Sequence, residues 1–385
     1  MKICLIGTVA TSTLNFRKTF IELLVQEGHE VYIFSTDYTN KTSSAISSLG
    51  AQPISYQLNR GGLNPLADIK STIQLKKKIK TIAPDIVFSY FSKPVIFGTL
   101  AAKLAKVPRI VGMLEGLGYA FTPEPPHKKE SFKKKLVRAV QIFLYKISFR
   151  YLDRIIFLNP DDPVDLIEKH KIKVKDVQIL GGIGVDLEKF KPTPPPLEPI
   201  RFLFIGRLLA EKGIFEFLKA AEIVKKKHPE VEFIVLGAID KDNPSSLSQT
   251  NLDYYKQSNI IIHPGHVDNV QEWIEKSSVF VLPSYYREGV PCSTQEAMAC
   301  GRAVITTDVP GCRETITNKE FVAPPFNHQS LSNLILKFIH SKDKIIEEGY
   351  FNYKFAKANF DSKKQNTKLY NLSKNENFTH NNCSW

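Results

Sequence analysis

At 385 residues the chain is too long for one ordinary hydrophobic core, and with 43% apolar and 24% charged residues it has a globular composition. A net charge of +13 points to an anionic partner, whether nucleic acid, a membrane surface or a phosphorylated ligand. Five scattered cysteines (Cys4, Cys292, Cys300, Cys312, Cys383) exclude a disulfide framework and zinc spacing, and no run of 18 apolar residues suggests a transmembrane helix.

Short apolar runs alternate with helical patterns along the whole chain, which is the rhythm of βα units and parallel sheets. The first unit opens with a strand over Lys2–Gly7, a hydroxyl-rich loop to Leu14 and a helix from about Asn15. The short Ile3–Ala10 run is followed by Thr11-Ser12-Thr13 with no convincing cleavage site, so it reads as this strand rather than a signal peptide. This opening is dinucleotide-like but lacks GxGxxG. Arg17, in the helix's first turn, reads as a solvated surface cation, with a phosphate contact as the alternative. Further strands are predicted at Glu30–Ser35, Asp85–Ser89, Arg109–Gly112 and Arg154–Leu158. After Arg109–Gly112 comes a glycine-rich loop, Gly112–Phe121, whose place at a strand's carboxyl end suggests that it borders a ligand.

Residues 51–150 hold 18 Lys and Arg against 5 Asp and Glu, and 18 − 5 equals the excess of the entire chain. Much of it surrounds residues 128–151. There Phe132, Leu136, Val140, Phe143 and Ile147 recur every three or four positions, among Lys128, Lys129, Lys133, Lys134, Lys135, Arg138, Lys146 and Arg150. The pattern is a helix. Its apolar stripe either packs on the core or lies on an anionic bilayer, where each cation near the surface contributes about 1 kcal/mol.

Lys191–Pro199 contains five prolines in nine positions, which excludes helix and interior strand. The organisation expected is therefore a first domain over 1–190, a linker at 191–199, a second domain over 200–372 and a polar, disordered tail over 373–385. Strands of the second domain are predicted at Arg201–Ile205, Val231–Leu236, Ile260–His263, Val279–Leu282 and Ala303–Thr306.

Gly206-Arg207 and Lys212-Gly213 follow the first of these strands, where a fork-like guanidinium and a mobile ammonium can both reach an anion at a helix N-terminus. A second loop, Pro283-Ser284 to Glu288-Gly289-Val290-Pro291, leads into a short helix carrying Glu296-Ala297-Met298-Ala299-Cys300-Gly301. The amides of Gly289 and Val290 and the helix dipole suit a diphosphate, and carboxylates at Glu288 and Glu296 suit sugar and ribose hydroxyls.

Residues 200–317 resemble the donor domain of retaining glycosyltransferase family 4. The likeness rests on these motifs together with Phe233–Gly237, Gly265-His266-Val267 and Asp308-Val309-Pro310-Gly311-Cys312, in order and spacing. The resemblance implies an α/β protein of the GT-B fold, two Rossmann-like parallel-sheet domains facing across a cleft. It implies that Arg207 and Lys212 hold the diphosphate of a UDP-sugar, that Glu288 contacts the donor sugar, Glu296 the ribose, and the backbone at His266-Val267 the base, with Gly206 allowing close approach. Family members generally lack the Asp-x-Asp metal motif. Asp240-Lys241-Asp242 matches that string, but it lies in a polar loop, so no metal and no other cofactor is expected.

The first domain would hold the acceptor, with Glu115 able to orient its hydroxyl. Phe16-Arg17, Phe91–Val95, Glu115–Tyr119 and Asp240–Pro244 narrow the resemblance to enzymes that extend undecaprenyl-diphosphate-linked sugars, N-acetylgalactosaminyltransferases included. That implies a lipid-linked acceptor and peripheral association with the inner face of the plasma membrane, in the cytoplasm. Two departures stand out: many relatives have a Gly-Gly pair near Gly7, and Asn318–Ala323 is shorter than the family's turn and lacks its glycine. The competing functions are a GT-B-like nucleotide-sugar epimerase and a basic nucleic-acid-binding protein. No helix-turn-helix, zinc finger or aromatic RNA-binding signature supports the latter, and nucleic acid is not an expected partner.

Overall fold

The computed structural model describes residues 1–58, 65–241 and 243–374, and these form two compact units. Among the described residues, the first comprises those within 1–115, 132–180 and 363–374, and the second those within 116–131 and 181–362.

In the first unit the strands are β1 (Lys2–Ile6), β2 (Glu30–Ser35), β3 (Gln52–Ser55), β4 (Ile86–Tyr90), β5 (Arg109–Leu114), β6 (Arg154–Phe157) and β7 (Val177–Ile179), in the order β3-β2-β1-β4-β5-β6-β7. Every pairing is parallel. Helices α1 (Ala10–Gln26) and α2 (Asn40–Ser48) pack together, and α3 (Pro65–Ile82), α4 (Ser92–Leu104) and α5 (Phe132–Ser148) pack in series. A turn of helix, α6 (Asp161–Pro163), follows β6.

The second unit has β8 (Arg201–Ile205), β9 (Glu232–Leu236), β10 (Ile262–Gly265), β11 (Val279–Leu282), β12 (Ala303–Thr307) and β13 (Val322–Ala323), again parallel, in the order β10-β9-β8-β11-β12-β13. Its helices are α7 (Ile214–Lys225), α8 (Gln249–Gln257), α9 (Val270–Glu275), α10 (Cys292–Ala299), α11 (His328–His340) and α12 (Lys342–Asn359). The last helix, α13 (Ser362–Ser373), is counted almost wholly with the first unit, although its sequence continues that of the second.

Central strands coincide with the predicted apolar runs because helices cover both faces and demand continuous burial. Those the sequence reading misses, β3, β7 and β13, all lie at sheet edges. Gln52-Pro53-Ile54-Ser55 is half exposed, and an edge position is where a proline is tolerated. The predicted edge strand Ile260–His263 is found two residues later, as Ile262–Gly265.

The proline-rich stretch at 191–199 is held by the second unit. Arg302, with no exposed surface, donates to the carbonyls of Ser277 (2.8 Å) and Cys300 (2.8 Å), and to the hydroxyl (2.6 Å) and carbonyl of Thr193. Burial pulls its pKa down to about 10, so it remains charged at neutral pH. At ~1–3 kcal/mol for each buried acceptor left without a donor, Arg302→Met should lower the unfolding free energy by roughly 3–5 kcal/mol. A change under about 1 kcal/mol in urea denaturation would contradict this account.

Candidate active site

Strands β8, β9 and β10 run outward on one side of the second sheet, and β11, β12 and β13 on the other. The loops leaving β8 and β11 therefore diverge at a topological switch point, where open parallel sheets bind ligands beyond their carboxyl ends. Gly206 and Arg207 follow β8, and a 3₁₀ turn, Ala210–Lys212, leads through Gly213 into α7. Ser284 to Val290 follow β11, with Pro291 as the N-cap of α10.

The two loops are joined at Lys212 and Glu288. Glu288 is 8% exposed, and its carboxylate accepts a hydrogen bond from the Lys212 ammonium. Ser284 Oγ stands 3.2 Å from the same carboxylate and 3.1 Å from the carbonyl of Glu211. That carbonyl also accepts the N–H groups of Tyr285 (2.9 Å) and Tyr286 (3.0 Å). The ammonium lies 5.2 Å from the centre of the Tyr286 ring, a cation–π contact, and burial raises the Tyr286 phenol above its ordinary pKa.

Arg207 is different. Its side chain is 53% exposed and 3.8 Å from Asp240, an exposed pair of the kind that contributes less than about 1 kcal/mol, so a ligand anion can replace the aspartate at small cost. Asp240 is thus the neighbour of a cation, while Asp242 lies outside the described residues. Among the described residues no group of three or more His, Cys, Asp or Glu is placed to hold a metal ion.

Gly289 and Val290 are buried just before α10. Gln295, fully buried, donates to the Val290 carbonyl (3.1 Å) and accepts from the Gly184 N–H (3.1 Å), so it fixes the start of the helix. Sequence reasoning passes over Gln295; its one signal is a polar residue three and four positions before buried Met298 and Ala299. Glu296, partly accessible on the same helix, has its pKa raised from 4.5 to about 7 by burial, opposed by the charge of Lys189. His266 is exposed after β10, with Nε2 4.0 Å from Asp268, and Val267 beside it is half-buried.

The first sheet has its own switch point, between β1 and β4. Here the structure corrects the reading of Arg17 as a solvated cation: it is 2% exposed. Ala10, Thr13, Arg17, Phe20, Ile21 and Leu24 make up the buried face of α1, which carries Arg17 inward. Its guanidinium pairs with Glu115, immediately after β5, donates to the Phe16 carbonyl at 3.1 Å and lies 5.2 Å from the Tyr90 ring centre. Tyr90 OH is 2.7 Å from Thr13 Oγ1. Nearby strand ends border a cavity of about 530 Å³ lined by Thr36, Asp37, Tyr56, Gln57, Lys70 and Ser71 among others.

Two further segments take definite form. The basic helix begins at Phe132, and three residues of its stripe point to solvent: Phe132 is 81% exposed, Leu136 49% and Phe143 61%, while Val140 and Ile147 are half-buried and Lys134, Tyr145 and Ser148 are buried. The turn without glycine forms a 3₁₀ segment, Lys319–Phe321, capped by the Asn318 side chain on the Glu320 N–H at 2.9 Å, with Asn318 Nδ2 donating to Glu348 at 2.8 Å. No helix among the described residues is long and apolar enough to cross a membrane.

Two parallel α/β units, with carboxylates, cations and a helix N-terminus at the switch point of the second, define a glycosyltransferase of the GT-B fold. The chain belongs to the family-4-like, group 1 glycosyl transferases. The Glycosyl transferase 4-like family matches residues 2–159 and the Glycosyl transferases group 1 family matches 185–350. The N,N'-diacetylbacillosaminyl-diphospho-undecaprenol alpha-1,3-N-acetylgalactosaminyltransferase of Campylobacter jejuni is 32% identical over 334 residues, 83% of each chain. The UDP-Gal:alpha-D-GlcNAc-diphosphoundecaprenol alpha-1,3-galactosyltransferase of Escherichia coli is 28% identical, over 66% of this chain and 65% of its own. A Rickettsia africae glycosyltransferase structure superposes with a TM-score of 0.73 at 20% identity, covering 97% of this chain and 99% of its own. An Anabaena structure with UDP and glucose gives 0.74 at 14%, with the same coverages. These relatives support glycosyl transfer, and neither the epimerase nor the nucleic-acid reading.

The raised pKa of Glu296 has a testable sign. Folding takes up a proton between about pH 4.5 and pH 7, so the stability it contributes is present at low pH and is lost as pH rises through about 7. Thermal melts of the wild type, measured relative to Glu296→Gln, should therefore fall between about pH 5 and about pH 8. A constant difference would contradict the assignment.

Proposed function

We propose that the protein transfers a sugar, with retention, from a UDP-sugar to a saccharide carried on a lipid diphosphate. The observation that carries this reading is the Lys212–Glu288 pair beside the N-terminus of α10, with Arg207 lightly held nearby. As the bond from the anomeric carbon to the diphosphate breaks, negative charge grows on the departing UDP and positive charge on the sugar ring. Lys212, Arg207 and the amides around Gly289 and Val290 stabilise the leaving group. Glu288 holds the sugar and eases the ring charge, and Glu296 accepts from the ribose. The acceptor oxygen bonds to the anomeric carbon on the face that the diphosphate leaves, and the acceptor's proton passes to the leaving phosphate.

For the acceptor, support comes from the lipid-diphosphate substrates named for the Campylobacter and Escherichia relatives. Glu115, oriented by Arg17, is the group assigned to the acceptor hydroxyl. Exposed Phe132, Leu136 and Phe143, flanked by exposed Lys133, Lys135, Lys146 and Arg150, suit insertion into an anionic leaflet.

Incubating a panel of UDP-sugars with undecaprenyl-diphosphate saccharides, and reading products by mass, should reveal one preferred donor. Glu288→Ala should reduce transfer by about 10²–10³-fold, with Lys212→Ala and Arg207→Ala also impaired; wild-type turnover in purified Glu288→Ala would overturn the reading. In liposome flotation, a Phe132→Glu/Phe143→Glu double variant should lose binding to anionic vesicles that the wild type retains. Equal flotation of the two proteins would exclude α5 as the docking element.

A further inference from the structure

The glycine-rich loop after β5 is covalently the continuation of the first unit's sheet, yet residues 116–131 group with the second unit. They do so because they pack on the backbone that carries Glu288. Both main-chain groups of Arg287 are taken by this loop: its N–H donates to Thr122 Oγ1 at 3.1 Å, and its carbonyl accepts from the Gly118 N–H at 3.1 Å. Thr122, 3% exposed, closes the arrangement by donating its hydroxyl to the Gly118 carbonyl at 3.1 Å. At Gly116, with φ +101°, a Cβ would lie 2.5 Å from the Arg287 carbonyl oxygen and 2.6 Å from Gly289 N. From another direction comes Gly311, with φ +89°, where a Cβ would lie 2.6 Å from the carbonyl oxygens of Glu288 and Gly289. Neither position has room for a side chain without moving the Glu288 backbone.

We propose that Gly116, Gly118, Thr122 and Gly311 are positioning residues for sugar transfer, a backbone clamp on Arg287–Gly289 that sets where the Glu288 carboxylate stands against Lys212. The inference rests on the reading of Glu288 as the group that meets the donor sugar. The clamp acts by removing freedom from the peptide that carries Glu288. Displacing a reacting group by about 1 Å can cost about 10²-fold in rate, so a looser clamp shows in turnover before it shows in donor binding.

Thr122→Val removes the hydroxyl and keeps the shape, and Thr122→Ser keeps the hydroxyl. Thr122→Val should lower kcat about tenfold or more, with the donor KM within about twofold, and Thr122→Ser should restore kcat. Gly116→Ala should lower kcat as well, by pushing the Arg287–Gly289 backbone away. Hydrogen exchange supplies a readout independent of activity: the Arg287 amide should exchange faster in Thr122→Val than in Thr122→Ser. Wild-type kcat in both Thr122→Val and Gly116→Ala, or an equal loss in Thr122→Val and Thr122→Ser, overturns the proposal. If the wild type transfers from no UDP-sugar, the reading of function falls and exchange alone decides the clamp: a faster Arg287 amide in Thr122→Val supports it, and equal rates overturn it. Should Thr122→Val fail to fold, Thr122→Ala replaces it in the same comparison.

Discussion

The Lys212–Glu288 ion pair is the interaction on which the second unit's site depends. Each partner lies on a connection that leaves one of two adjacent parallel strands, β8 and β11, so the pair closes the switch point across the carboxyl edge of the sheet. Both side chains are largely buried, at 17% and 10% exposure. A carboxylate taken from water to that extent is stable only with a cation and further donors, which Lys212 and Ser284 supply. The same desolvation strengthens their interaction with any charge that a ligand brings.

The two units solve one problem in parallel ways. In each, a carboxylate near the switch point is held by a cation that also lies over a tyrosine ring: Glu115 by Arg17 above Tyr90, and Glu288 by Lys212 above Tyr286, both at 5.2 Å. The aromatic face limits where the cation can move, and the cation limits the carboxylate. Arg207, exposed and weakly paired, lacks these restraints.

Charge is divided to match. The basic excess of residues 51–150 lies in the part of the sequence that carries α3, α4 and α5, and α5 turns its phenylalanines outward among lysines. The switch point of the second unit holds Arg207 and Lys212, each in a specific position. Net charge therefore does not locate the switch-point cations Arg207 and Lys212, which hardly alter the total.

Local sequence determined a good deal. The central strands of both sheets, the helix following Pro291 and the family resemblance all follow from apolar runs and short motifs, because continuous burial and helix-start chemistry are imposed within a few residues. The edge strands β3, β7 and β13 escaped notice because an edge requires no continuous apolar run. Tertiary structure alone decided the rest. It turned Arg17 inward to Glu115, turned Phe132, Leu136 and Phe143 of α5 outward, and brought Gly116 and Thr122 against Arg287, 165 positions after Thr122. Such contacts join residues far apart in the chain, and no local periodicity or spacing records which distant backbone a glycine must make room for.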